Sequence, residues 1–374
     1  MKPALQGLGL QYTETKPPTS KFPQFIPTEI PSLRVSMKLV KAKQQQHSIV
    51  PLPSPRSRTL ATEITHSHVH LWPSSAANND AHAWMHEGDH LAKQYSISDY
   101  LTASSSPSSS STETANYEVK GFVYVETDRR YRKELAEGET VSDFTWAEQC
   151  RAENAFLRRI VSGETVDGVD EGFDSETAKM MKGCVLWAPV DRGLDVFKRW
   201  LDPGIRDKDA FERLVTDHGF VEVLRFMGKY HLCKPDMEHP PAENPKAHAR
   251  FESWKTSITR LAACQKTYMK LSGAFSEMAD QDPDHPWPVS KVVQRIRPWV
   301  AHVIAEFSPQ RIMFGSDWPV CNVRGPGDAK SWRHWRDVVE SLLQEQGLSE
   351  KQMDRVWYGT AEEAYKLEKE PVFG

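Results

Sequence analysis

The chain has 374 residues, enough for one large domain with a sizeable core or for two smaller ones. Hydrophobic residues make up 39% and charged residues 26%, and the formal net charge is -4, which gives no electrostatic reason for nucleic acid or an anionic membrane as partner. No apolar run approaches the roughly 20 residues of a membrane-spanning helix, and five scattered cysteines without a CxxC pair (Cys150, Cys184, Cys233, Cys264, Cys321) read as reduced thiols of a cytoplasmic protein.

Residues 1–60 are rich in proline and basic side chains, with only Glu14 and Glu29 as acids. Such a segment cannot bury enough apolar surface to offset its ordering entropy, so it reads as a disordered extension, with an organelle-targeting presequence as the alternative. The folded domain is expected over 61–374. It opens on Ile64-Thr65-His66-Ser67-His68-Val69-His70-Leu71-Trp72, where every second residue from His66 to His70 is histidine. Period two means a strand, and three imidazoles on one strand face suit a metal better than a core. A short capped helix follows at Ser96–Leu101, then a serine-rich linker; His82, His86 and His90 fall in a loop.

Gly121–Glu126 is the second strand, ending in Glu126-Thr127-Asp128-Arg129, polar residues of the kind that line an active-site rim. Phe144–Val161 has helical spacing, and Gly183–Asp191, with Trp187 in it, is the third strand. Tyr230–Asp236 carries His231. After a helix at Ala247–Cys264 come a strand at Thr267–Gly273 and a helix at Val289–Phe307. The short apolar strand Ile312–Phe314 then leads into Gly315-Ser316-Asp317-Trp318-Pro319, and two helices (Trp332–Gln346, Ser349–Leu367) close the chain. Strands separated by helical stretches make this an α/β protein with a parallel sheet. The polar strand ends form an ordered set: His68, His70, Glu126, His231, Asp317. Imidazoles with one carboxylate fit Zn²⁺, and an Asp beside an activated water can act as general base.

The segments His66–Trp72, Val185–Asp191, His231–Asp236, Met269–Gly273 and Met313–Pro319 resemble, in order, those of the amidohydrolase-related family, the lactonase-like branch of the amidohydrolase superfamily. The resemblance implies a TIM-type (β/α)8 barrel with its site at the C-terminal strand ends. It implies His68, His70, His231 and Asp317 as metal ligands, with Asp317 and His231 catalytic. Glu126, Arg129 and Trp187 are assigned to substrate binding. The cofactor is one divalent cation such as zinc, metal-independent hydrolysis being the alternative. The implied reaction is hydrolysis of a lactone or similar carboxyl derivative, a small molecule; the alternatives are a metal-dependent carboxy-lyase or an inactive remnant. Two departures stand out. The family carries Asp where this chain has His66, and strands 4 and 5 are not found between Asp191 and His231, so the barrel is expected to be incomplete.

Overall fold

The computed structural model describes residues 62–105, 117–189 and 237–367, together with Arg192, Val196, Arg199, Trp200 and Pro235. All belong to one compact unit, Ser57–Gly374. The N-terminal extension, His231 and the interval expected to hold strands 4 and 5 lie outside the described residues, apart from those isolated positions.

The elements alternate as the sequence suggests. β1 (Thr62–Val69), α1 (Ile97–Ser105), β2 (Tyr117–Val125), α2 (Glu148–Ser162), α3 (Ser175–Ala178) and β3 (Met181–Val185) make the first part. α4 (Pro245–Ala262), β4 (Met269–Leu271), α5 (Val289–Phe307), β5 (Ile312–Phe314), α6 (Ser331–Glu345), α7 (Glu350–Asp354) and α8 (Thr360–Tyr365) make the second. β1 pairs with β2, β2 with β3 and β4 with β5, each in parallel. A parallel bridge between Val69 and Trp318 joins β1 to the chain leaving β5. The last strand therefore lies beside the first.

Local chemistry sets the helix ends. The Asn244 side chain caps α4 by accepting from the Ala247 N–H, and Pro245 takes the first helical position, where a missing N–H costs nothing. Ser96 and Asp99 cap α1 reciprocally, Ser96 N–H donating to Asp99 and Asp99 N–H to the Ser96 hydroxyl. α5 and α6 turn their apolar stripes inward, burying Val292, Ile296, Trp299, Val303 and Phe307 from one and Trp332, Trp335, Val338 and Leu342 from the other. Each such side chain contributes about 1.5–3 kcal/mol relative to exposure.

Several boundaries differ from the sequence reading. β3 starts at Met181 and ends at Val185, so Trp187 lies past the strand. α2 starts at Glu148 rather than Phe144, because Phe144 adopts φ 57° and Thr145–Ala147 form a 3-10 turn. The closing helix is not continuous: a π turn at Arg355–Gly359 separates α7 from α8. Nor do the three histidines in and just past β1 form one set. His66 is fully buried, its ring centroid 5.0 Å from Phe314, 5.7 Å from Tyr100 and 5.8 Å from Trp332, and the strand register is irregular between His66 and Val69.

Candidate active site

His68 and His70 come from the end of β1, and Asp317 comes from the segment after β5. The two pieces of backbone are laced together. Asp317 N–H donates to the His68 carbonyl at 3.2 Å, and His70 N–H donates to the Trp318 carbonyl at 2.8 Å. Ser67 adds a third tie, its hydroxyl donating to the Phe314 carbonyl at 2.6 Å. Gly315 suits the close approach of β1: a Cβ there would meet His68 Cβ at 3.1 Å, a tight contact. Asp317 itself sits at φ 62°, a left-handed conformation that Asp tolerates better than most residues.

This scaffold brings three ligand-type atoms into a triangle. His68 Nε2 and His70 Nε2 are 3.0 Å apart, and Asp317 Oδ1 lies 3.1 Å from His70 Nε2 and 3.4 Å from His68 Nε2. Among the described residues, these three side chains form a cluster able to hold an ion. The tautomer of His70 sharpens the point. Its Nδ1 faces the carbonyls of Val125 at 2.9 Å and Glu126 at 3.0 Å, both acceptors, so Nδ1 carries the hydrogen. The neutral ring then presents an Nε2 lone pair to a carboxylate oxygen and to another imidazole. Three electron-rich atoms at this separation repel unless a proton or a cation lies among them.

The donor set fits zinc. A tetrahedral shell with ligand bonds of about 2.0–2.1 Å has ligand–ligand edges of about 3.3 Å, close to the triangle here. The carbonyl-held Nδ1–H is the usual outer support of a ligating histidine. The electrostatics agree. Burial opposes charging of His70, but the Asp317 carboxylate and the Val125 carbonyl outweigh it and raise its pKa above the ordinary value. His68 goes the other way: burial, joined by the Lys270 charge, holds it well below 6.5, leaving a neutral ring suited to ligation. His66 is pushed down to about 3 by the same two causes. It lies outside the triangle, and neither ring nitrogen has a hydrogen-bond partner.

The other sequence candidates are placed as follows. Glu126 is half-buried beside His70, its carboxylate accepting from Asp128 N–H at 2.6 Å; burial and the neighbouring Glu153 push its pKa up to about 7. Arg129 is 3% exposed and is engaged by Thr127 Oγ1 at 3.0 Å and, at 4.0 Å, by Glu153. Trp187 packs in a separate aromatic cluster, 5.0 Å from Tyr131, 5.1 Å from Trp200 and 6.0 Å from Trp146. Of the three, Glu126 reaches the triangle through its backbone carbonyl, which accepts from His70 Nδ1 at 3.0 Å. His82, one of the loop histidines, bonds the Ala76 carbonyl and Thr127 and is a structural residue. Sequence reasoning missed Lys270, whose signal is a charge between the buried Met269 and Leu271 of β4. It also missed Glu153, which sits three residues after Cys150 and four before Leu157 on the buried stripe of α2.

Residues 236–367, which include Asp317, match the family described as amidohydrolase. The chain is 25% identical over 359 residues to an L-rhamnono-gamma-lactonase of Scheffersomyces stipitis, covering 82% of this chain and 99% of that protein. It is 34% identical over 127 residues to an L-fucono-1,5-lactonase of Burkholderia ambifaria, covering 34% of this chain and 40% of the relative. Among solved structures, an amidohydrolase from Burkholderia multivorans with bound Zn shares 22% identity at a TM-score of 0.47, covering 82% of this chain and 99% of the other. The family match and the full-length relative support a hydrolase of the amidohydrolase type. Within that class, they support the lactonase-like family.

Proposed function

We propose that the protein hydrolyses a sugar lactone, with the site at the C-terminal ends of a parallel (β/α)8 barrel of which the described strands are one arc. What supports the barrel is topology: β1, β2 and β3 are neighbours in order, and the chain leaving β5 returns to β1. An open sheet has no need to bring its last strand beside its first. The observation that carries the function is the His68–His70–Asp317 triangle, taken with relatives named as lactonases.

In this reading His68, His70 and Asp317 would hold one divalent cation, with His231 proposed as a fourth ligand. A bound cation supplies Lewis-acid polarisation of the lactone carbonyl and of water. The chain's own residues do the rest. Asp317 accepts the proton of the attacking water as its oxygen bonds to the carbonyl carbon. The ring C–O bond then breaks, and Asp317 returns the proton to the departing hydroxyl, leaving a hydroxy acid. The Val125 and Glu126 carbonyls keep His70 in one tautomer throughout. Glu126, Arg129 and Trp187 remain proposed substrate contacts, with Glu126, next to His70, the best placed. The dispersed cysteines, with Cys150, Cys184, Cys264 and Cys321 all unpaired among the described residues, support a cytoplasmic setting.

The test is a pH-stat assay of L-rhamnono-gamma-lactone and L-fucono-1,5-lactone with zinc-supplemented protein and its Asp317→Asn variant. We expect turnover in the wild type and a loss of roughly 10²–10⁴-fold in the variant, the usual worth of a positioned acid–base group. A folded, zinc-loaded protein that opens no sugar lactone would refute the proposal.

A further inference from the structure

The residues on either side of the two carbonyls that hold His70 are bonded to one buried carboxylate. Glu153, on α2, is fully buried. Its Oε1 accepts from the Tyr124 hydroxyl at 2.6 Å, the Thr127 N–H at 2.9 Å and the Thr127 hydroxyl at 2.8 Å. Tyr124 and Thr127 bracket Val125 and Glu126, the two residues whose carbonyls receive the His70 Nδ1–H. β2 ends at Val125, and beyond it the described ladder offers one further bond, Glu126 N–H to the Val185 carbonyl at 2.8 Å. Past that point the strand end is secured through Thr127. Arg129 Nε donates to the Thr127 hydroxyl, His82 Nε2 lies 2.9 Å from it, and Trp84 donates to the Thr127 carbonyl at 3.3 Å. Among the described residues, Glu153 alone takes bonds from both sides of the Val125-Glu126 pair.

A carboxylate in such a place is expensive. Burying it is disfavoured unless it is well hydrogen-bonded, and an apolar side chain on the α2 stripe would fill the space without that cost. What the carboxylate adds is three directed bonds that tie the strand end to the helix.

We propose that Glu153 is a positioning residue for the active site. By clamping Tyr124 and Thr127 to α2, it aims the Val125 and Glu126 carbonyls at His70 Nδ1–H and so keeps His70 Nε2 pointed into the triangle. The proposal rests on the reading of His70 as a ligand, and its test is separable from that reading.

Two measurements decide it: zinc affinity by chelator competition, and the His70 tautomer from imidazole ¹⁵N spectra of the zinc-free protein. In Glu153→Ala we expect roughly tenfold weaker zinc binding, the lower end of what losing an outer support costs. We also expect spectra showing mixed His70 tautomers, while the unfolding transition stays cooperative. Glu153→Gln, whose amide oxygen can accept the same three bonds, should recover most of both. Wild-type affinity and a single tautomer in a folded Glu153→Ala would overturn the proposal, as would Glu153→Gln behaving like Glu153→Ala. Should the alanine variant fail to fold, Tyr124→Phe decides instead. Weaker zinc binding and mixed tautomers there support the clamp, and wild-type behaviour overturns it. A wild-type protein that takes up no zinc would refute the metal reading, and the tautomer spectra would still settle the clamp.

Discussion

Gly273, at the end of β4, lies against the turn that carries Asp317. Its N–H donates to the Ser316 carbonyl at 3.1 Å. A Cβ placed on it would lie 2.0 Å from that same carbonyl oxygen and 2.7 Å from Cys321 Cβ. An ordinary carbon–oxygen contact needs about 3.3 Å, so in Gly273→Ala the Ser316 backbone must move by about 1.3 Å. Neither neighbour is the tip of a flexible side chain that could swing away. Overpacking of this kind costs about 1–3 kcal/mol, and losing the hydrogen bond adds about 1 kcal/mol. In a domain of this size that lowers Tm by on the order of 10 °C. Function should suffer more than stability. Ser316 immediately precedes Asp317, and a displacement of about 1 Å at a reacting group costs on the order of 10²-fold in rate. Thermal unfolding, zinc affinity and lactone turnover of the variant, measured side by side, check this. A variant with wild-type Tm and turnover within twofold would refute the claim that this close approach places Asp317.

Three other outcomes follow from the geometry. Zinc should raise the Tm of the wild type, by about 2.7 kcal/mol of stabilisation at a hundredfold excess over Kd, and the rise should vanish in His68→Ala; an undiminished rise would place the ion elsewhere. Asp170 carries a pH dependence: burial alone would raise its pKa, but Arg159, bonded at 2.8 and 3.1 Å, and the Val166 N–H overcome it and hold it low. Its contribution is therefore fully present above the ordinary Asp range near pH 3.9 and is lost as pH falls through the depressed folded value. Asp170→Asn should lower stability at pH 7 and flatten the acid limb of the stability curve, and parallel curves for the two proteins would contradict the pairing. Finally, His66→Phe should leave Tm unchanged or raise it, because both ring nitrogens of His66 are buried without partners among Tyr100, Phe314 and Trp332. A large fall in Tm would show that His66 makes polar contacts that matter.

What could be read from the residues follows how local each signal is. The His68–His70 alternation and the Gly315-Ser316-Asp317 turn are contiguous, so the strand ends that carry them could be located, and the fold joins them. His66 looked like their equal because alternation says which side of a strand a residue leaves from, not what it meets there. Its neighbours come from α1, β5 and α6, and nothing near it in the chain announces them. The burial of Arg129 was hidden for a related reason. A charge just past a strand end suggests an open rim, while Glu153, the buried partner 4.0 Å away, lies 24 residues on in sequence. Glu153 itself was legible in part: an acid on the buried stripe of an amphipathic helix calls for a partner, though the pattern cannot name it. The α2 start slipped because Phe144 takes a left-handed conformation, which its apolar spacing does not reveal.

The triangle also straddles the two ends of the folded unit. His70 and Asp317 are separated by 247 residues, one just past the first described strand and one just past the last. A chain growing from its N-terminus presents the two histidines first and the carboxylate 247 residues after His70. Until then the imidazoles lack the Asp317 carboxylate, and a message cut short anywhere before codon 317 yields a product without it. Uptake of an ion at this place would thus report that the segment after β5 has docked beside the end of β1.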